Sequence, residues 1–166
     1  MSGFLCATCG EFHDDLPMCL GASAPALWHS MTESERGDDS GISSDQCVIQ
    51  GKHFFILGRL LLPVLDGQGP FVWLVWVSLS EKSFLRVNEL WEQEGRESEP
   101  PFFGWLQSAL PYEPTTLSLK TSVQTSPVGE RPVITIEAAG HPLAIEQRDG
   151  IDMKRVQKIV EAALHG

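Results

Sequence analysis

The rhythm of apolar and polar positions changes near Gln46. Before it the chain is turn-rich and polar; after it, apolar runs are separated by short polar punctuation. "CVIQGKHFFILGRLLLPVL" reads as two strands with a turn at residues 50–52. "DGQGP" supplies a second turn, its glycines free to take positive φ. "FVWLVWVSL" is apolar on both faces, which predicts a strand in the centre of a sheet. "SEKSFLRVNELWEQE" switches to helical spacing, with Ser80 as N-cap and Phe84, Val87 and Trp91 on one face.

Further on, "PFFGWLQSALPYEP" is bounded by prolines and reads as a short helical or irregular piece. "TTLSLKTSVQT" alternates as a strand should, and "PVITIEAA" is another strand, with Pro132 at its permitted first position. "GHPLAIEQ" reads as a turn plus a short strand, which makes His141 a turn residue and points Glu146 outward; Asp149-Gly150 is turn chemistry. "DMKRVQKIVEAALHG" is the clearest helix. Asp152 is its N-cap, Ile151 and Val156 are spaced for a hydrophobic staple, and Val156, Ile159, Val160 and Ala163 form its buried stripe. Earlier in the chain, "APALWHSM" predicts a short helix and "TESERGDDSGISSD" an exposed loop.

Strands in runs, rather than strictly alternating with helices, predict an α+β fold. The expected architecture is a mainly antiparallel sheet of five or six strands, with two or three helices packed on it and an N-terminal cysteine-bearing knuckle. One domain spans residues 1–166: the knuckle over 1–25, the exposed loop over 31–45, and the sheet and helices over 46–166. The aromatics Phe71, Trp73, Trp76, Trp91, Phe102, Phe103 and Trp105 are expected in the core. Arg59 stands out inside an apolar strand; a sheet edge, a carboxylate partner or a site would each accommodate it, the edge being the plainest.

Charge removes some function classes. The net charge is −10, and the tightest basic group, Lys154, Arg155 and Lys158, reads as one solvated helix face. That pattern argues against nucleic-acid and anionic-membrane partners. The most apolar region is interrupted by Arg59, Pro63 and Asp66, so it predicts no membrane span. No basic n-region followed by an apolar stretch opens the chain, which leads to the expectation of a cytoplasmic protein with reduced thiols.

Candidate chemistry concentrates at the start, in "CATCGEFHDDLPMC". Cys6, Cys9, His13 and Cys19 form a C-x2-C-x3-H-x5-C array, and Cys47 and His53 lie on or beside the first long strand. Tetrahedral zinc takes four such ligands, two of them readily from one C-x2-C turn. A redox pair would want a helix directly after Cys9, and none is signalled. Structural cysteines are the third reading. His141, Glu146 and Asp149 are conceivable acid–base groups. No phosphate loop, H-E-x-x-H or G-x-S-x-G pattern is present.

"CATCGEFHDDLP" followed by "GASAP", "DQCVIQGKHFFILG", "FVWLVWVSLSEKSF", "PFFGWLQSALP" with "LSLKT", and "RPVITIEAAGHPLAIEQRDGI" together resemble the uncharacterised, mostly bacterial proteins grouped as domain of unknown function 2199. The resemblance extends over nearly the whole chain. It implies that Cys6, Cys9 and His13 belong to that family's N-terminal pattern and Cys47 to its D-x-C-V-I pattern, and it leaves Cys19 outside. The ligand set it favours is Cys6, Cys9, His13 and Cys47, with His53 as substitute. The family has no assigned activity, so no catalytic residue carries over. The expectation is a protein with a structural zinc knuckle that binds another protein or a small ligand. The alternatives are a metal-assisted hydrolase using His141 and Glu146, and an immunity-type partner of a toxin, a role that acidic charge permits.

Overall fold

The computed structural model describes residues 16–165, together with the backbone of Phe4–Leu5 and Phe12–His13. The fold is α+β, with ten strands and five α-helices among the described residues. Strands β1 (Phe4–Leu5) and β2 (Phe12–His13) pair antiparallel with each other, Leu5 opposite Phe12.

A closed five-stranded barrel organises the rest. Its staves are β6 (His53–Leu62), β7 (Phe71–Leu79), β8 (Phe102–Leu106), β9 (Lys120–Gln124) and β10 (Val133–Ile136). Consecutive staves pair antiparallel, and a parallel contact of β10 with β6 at Val133 and Arg59 closes the ring. There the Arg59 amide donates to Pro132 O at 2.8 Å. Gly58 makes the closure possible, since a Cβ at that position would lie 2.5 Å from the Ile134 side chain. The length of β6 and β7 lets each serve more than two neighbours. β5 (Gln46–Ile49) adds to the start of β6 and carries β4 (Gly41–Ile42), while β3 (Cys19–Gly21) runs parallel to the start of β7.

Both faces of β7 are accordingly buried. Phe71, Trp73, Val75 and Val77 join Leu60, Leu106, Val123 and Ile134 in the main core, whereas Trp76 turns to a second cluster with Cys47, Ile49, Phe55 and Leu57. Leu27 and Trp28 of α1 (Ala26–His29) cover that second cluster. Helices α4 (Pro142–Asp149) and α5 (Met153–His165) supply Leu143, Val156, Ile159 and Val160 to the main core. At several kcal/mol for each large side chain removed from a core, these layers are the main stabilising element of the fold.

The expected turns at residues 50–52 and at "DGQGP" are present, as is the central placement of β7. Helix α3 (Glu81–Glu89) starts where expected, with the Ser80 hydroxyl accepting from the Ser83 amide. At the start of α5, Asp152 Oδ1 accepts from the Arg155 amide at 2.8 Å, and Ile151 and Val156 are both buried.

Several expectations require correction. The expected mainly antiparallel sheet of five or six strands is a closed five-stranded barrel with added strands, and the helices exceed three. "PFFGWLQSALPYEP" contains strand β8, because β7 and β9 flank it and its residues alternate in burial. Phe103 and Trp105 fall on the outer side, in an edge-to-face pair with centroids 4.9 Å apart, so they are not core residues. "GHPLAIEQ" opens helix α4, not a strand: Pro142 takes the first-turn position that costs no hydrogen bond, and His141 is the N-cap. The polar segment after residue 31 includes α2 (Glu33–Arg36), held by a reciprocal Thr32–Glu35 capping box. In α5, Ala163 is exposed and Glu161 is buried in its place. Arg59 is not at an edge; it lies where three strands meet.

Candidate functional site

The predicted zinc ligands divide. Cys6 and Cys9 lie outside the described residues, in the segment joining β1 to β2, and His13 is described by its backbone on β2. Cys47, on β5, is buried in the second cluster among Ile49, Phe55, Leu57 and Trp76. Burial pushes its thiol up to about 11, against a smaller opposing pull from the Arg36 charge. Cys19 is exposed on β3, and His53 is exposed at the head of β6. Among the described residues no three His, Cys, Asp or Glu side chains are grouped to hold a metal.

His141 and Glu146 both lie against Tyr112, and both are occupied. His141 Nδ1 accepts from the Leu143 amide at 3.0 Å, so its Nε2–H donates to Pro114 O at 2.8 Å. That pairing fixes the neutral ring as the Nε2–H tautomer, because a carbonyl can only accept. Glu146 accepts from Tyr112 Oη at 2.6 Å on one oxygen and from Arg155 Nε at 2.5 Å on the other. Trp73 Nε1 donates to Tyr112 Oη at 3.4 Å, and the Arg155 guanidinium lies 5.4 Å from the Tyr112 ring centroid. Arg155 is therefore part of a half-buried network, not of a solvated basic face. Asp149 is exposed and pairs with its neighbour Arg148.

This network fixes α4 and α5 to the barrel and has a testable signature. Burial, followed by the hydrogen bond to Glu146, raises the Tyr112 phenol well above its usual range. An acid whose pKa is raised by folding stabilises the fold fully below its unfolded pKa and loses that contribution as pH climbs beyond about 10. Cys47 acts with the same sign from about pH 9. In a Cys47→Ala background, Tyr112→Phe should cost about 1 kcal/mol at neutral pH and shrink the remaining alkaline loss. Urea unfolding at neutral and alkaline pH measures both effects; an unchanged alkaline loss would rule Tyr112 out as its source.

An open cleft lies elsewhere, between the closure of the barrel and the end of α3. Its volume is ≈ 480 Å³, within the range of small-ligand pockets. Ile56, Leu57, Val87, Leu90 and Val123 give it an apolar floor, and Trp91, just past α3, forms one wall. The rim is polar and carries Arg59, Arg96 and Arg131 against Asp45 and Glu130.

The three arginines differ in their commitments. Arg96 is buried in the 3-10 turn Arg96–Ser98. It donates to Ser126 O at 2.7 Å, Trp91 O at 2.9 Å, Glu130 O at 2.9 Å and Pro127 O at 3.1 Å. It thereby clamps residues 126–130, the loop between β9 and β10, into a wall of the cleft. No carboxylate pairs with it among the described residues. Arg131 donates to Asp45 Oδ1 at 2.7 Å. Arg59 donates through Nε to Arg131 O at 3.1 Å and through Nη2 to Ser126 Oγ at 3.2 Å. Glu130 stands 3.8 Å from Arg59 Nη2, and Arg59 Nη1 has no acceptor among the described residues.

Residues 5–151 match the model of a family described as an uncharacterized protein conserved in bacteria, domain of unknown function 2199 (DUF2199). The chain belongs to that family. No curated protein and no solved structure matches it. The matched part of this DUF2199 chain takes in the whole barrel and every residue of the cleft. Helix α5 lies beyond it, yet completes the core through Val156, Ile159 and Val160. No helix among the described residues is long and apolar enough to cross a membrane.

In the sequence, Arg59 stands out as a charge inside an apolar strand and Trp91 as one of the aromatics; Arg96, Arg131, Asp45 and Glu130 carry no such signal. Arg96 sits in the polar, proline-bounded "GRESEPP", where nothing local separates it from a solvated loop residue.

Proposed function

We propose that this protein binds a small molecule in the cleft between β6, the end of α3 and the β9–β10 loop, without chemistry of its own. The cleft itself carries the reading: ≈ 480 Å³ with an apolar floor, an indole wall and a few fixed polar groups. That combination is the usual form of a small-ligand site. The clamp by Arg96 supports it, because a wall fixed before binding lowers the ordering cost. The occupation of both ring nitrogens of His141 and both oxygens of Glu146 counts against the hydrolase alternative.

Val87→Trp tests this reading by filling the floor with an indole. Ligand-detected NMR against a fragment library should find compounds that contact the wild-type chain and lose contact with the variant. Hits that persist in a folded Val87→Trp variant would place binding elsewhere.

A zinc ion held by Cys6, Cys9, His13 and Cys47 is the second part of the proposal. The C-x2-C spacing and the pairing of β1 with β2 across that segment support it. Zinc would tie the opening of the chain to β5. Burial disfavours the free Cys47 thiolate, so metal binding would release protons and weaken steeply on acidification. Elemental analysis of protein purified without chelator should give one zinc per chain, lost in Cys6→Ser. A wild-type chain without stoichiometric metal would remove the staple and leave the cleft reading intact.

A further inference from the structure

We infer that the ligand of the cleft is a small organic monoanion: a carboxylate carried on an apolar body, with the carboxylate on Arg59. The inference rests on the binding reading above and adds the chemical class.

Arg59 is the rim guanidinium that combines spare donors with no carboxylate inside hydrogen-bond distance; Arg131 also keeps its Nη donors, but Asp45 already balances its charge. Arg96 is spent on four backbone carbonyls, and Arg131 is held by Asp45. Arg59 is fixed along its Nε–Nη2 side by Arg131 O and Ser126 Oγ, which leaves Nη1 and the second Nη2 hydrogen to present an end-on edge. Such an edge accepts a carboxylate through two parallel N–H···O bonds, in a geometry already set by the protein.

Charge sets the valence. Three guanidinium groups face two carboxylates, so the rim carries one net positive charge on a chain whose net charge is −10. One negative charge balances the rim. A phosphate dianion would overshoot and meet Glu130, 3.8 Å from Arg59. The apolar floor at Leu57, Val87 and Leu90, with the indole of Trp91, asks for a hydrocarbon or aromatic body attached to the anion.

Phenylacetate and its neutral isostere phenylacetamide are suitable probes, titrated calorimetrically against the full chain. Wild type should bind phenylacetate about 10-fold more tightly than the amide, the gain expected of a charge-assisted pair. Arg59→Gln should abolish that preference, bringing phenylacetate down to the affinity of the amide, while Arg59→Lys should keep part of it. Glu130→Gln, at an exposed side chain, should strengthen phenylacetate binding several-fold and widen its preference over the amide; it keeps the test decisive if Arg59→Gln does not fold. Equal binding of the two probes, a preference that survives Arg59→Gln, or no binding of either at millimolar concentration would overturn the inference. Equal binding that Val87→Trp removes would overturn the anion class alone and leave the cleft as a ligand site. Equal binding that survives Val87→Trp would count against both.

Discussion

Arg96→Met is expected to lower the free energy of unfolding by about 3 kcal/mol, a large effect for a residue from a polar loop. Four backbone carbonyls, those of Trp91, Ser126, Pro127 and Glu130, accept from this one side chain. Methionine fills similar volume and offers no donor, so carbonyls inside the β9–β10 loop would lose their partners. Each unpaired buried group costs roughly 1–3 kcal/mol, reduced where the loop opens and water reaches it. Arg96→Lys should recover only part of the loss, because one ammonium cannot span four acceptors spread around a planar fork. Urea unfolding of the three proteins gives the ranking. A loss well under 1 kcal/mol for Arg96→Met would show that the loop holds itself. The same variant should weaken ligand binding, since the loop is a wall of the cleft.

Gly104→Ala is expected to cost about 3 kcal/mol, at the upper end for overpacking by a single methyl group. Gly104 lies on β8 facing the barrel interior, and a Cβ there would stand 2.7 Å from Ser78 O and 3.3 Å from Thr121 Oγ1. Ser78 O belongs to the backbone of β7, so no rotamer change relieves the contact; β7 and β8 would have to separate. Thr121 makes the site tighter, because its hydroxyl donates to Gly104 O at 2.8 Å and is buried there. A thermal melt close to that of wild type would mean that the β7–β8 pair is looser than described.

The α+β class was legible because the long apolar runs of β6 and β7, and the stripe of α5, carry their periodicity in local sequence. Closure of the barrel was not. It depends on Gly58 admitting Ile134 at close range and on the parallel meeting of Val133 with Arg59, contacts between residues more than seventy positions apart. Strand β8 was obscured because its outward positions, Phe103 and Trp105, are as apolar as its inward ones, so the alternation of burial leaves no alternation in hydropathy. Helix α4 was missed because histidine is an uncommon N-cap; Pro142 at the first turn was the available signal. The cleft was half visible. Arg59 was conspicuous against apolar neighbours, whereas Arg96 acquires its role only when the β9–β10 loop folds over it.

Whether the cleft is the ligand site is decided by mapping amide chemical shifts of the labelled chain during titration with phenylacetate. Saturable shifts are expected at Leu57, Arg59, Trp91, Ser126 and Gly129, with Phe103 and Trp105 on the outer face unmoved. Shifts centred on Phe103 and Trp105, or none around Arg59 and Ser126, would contradict it.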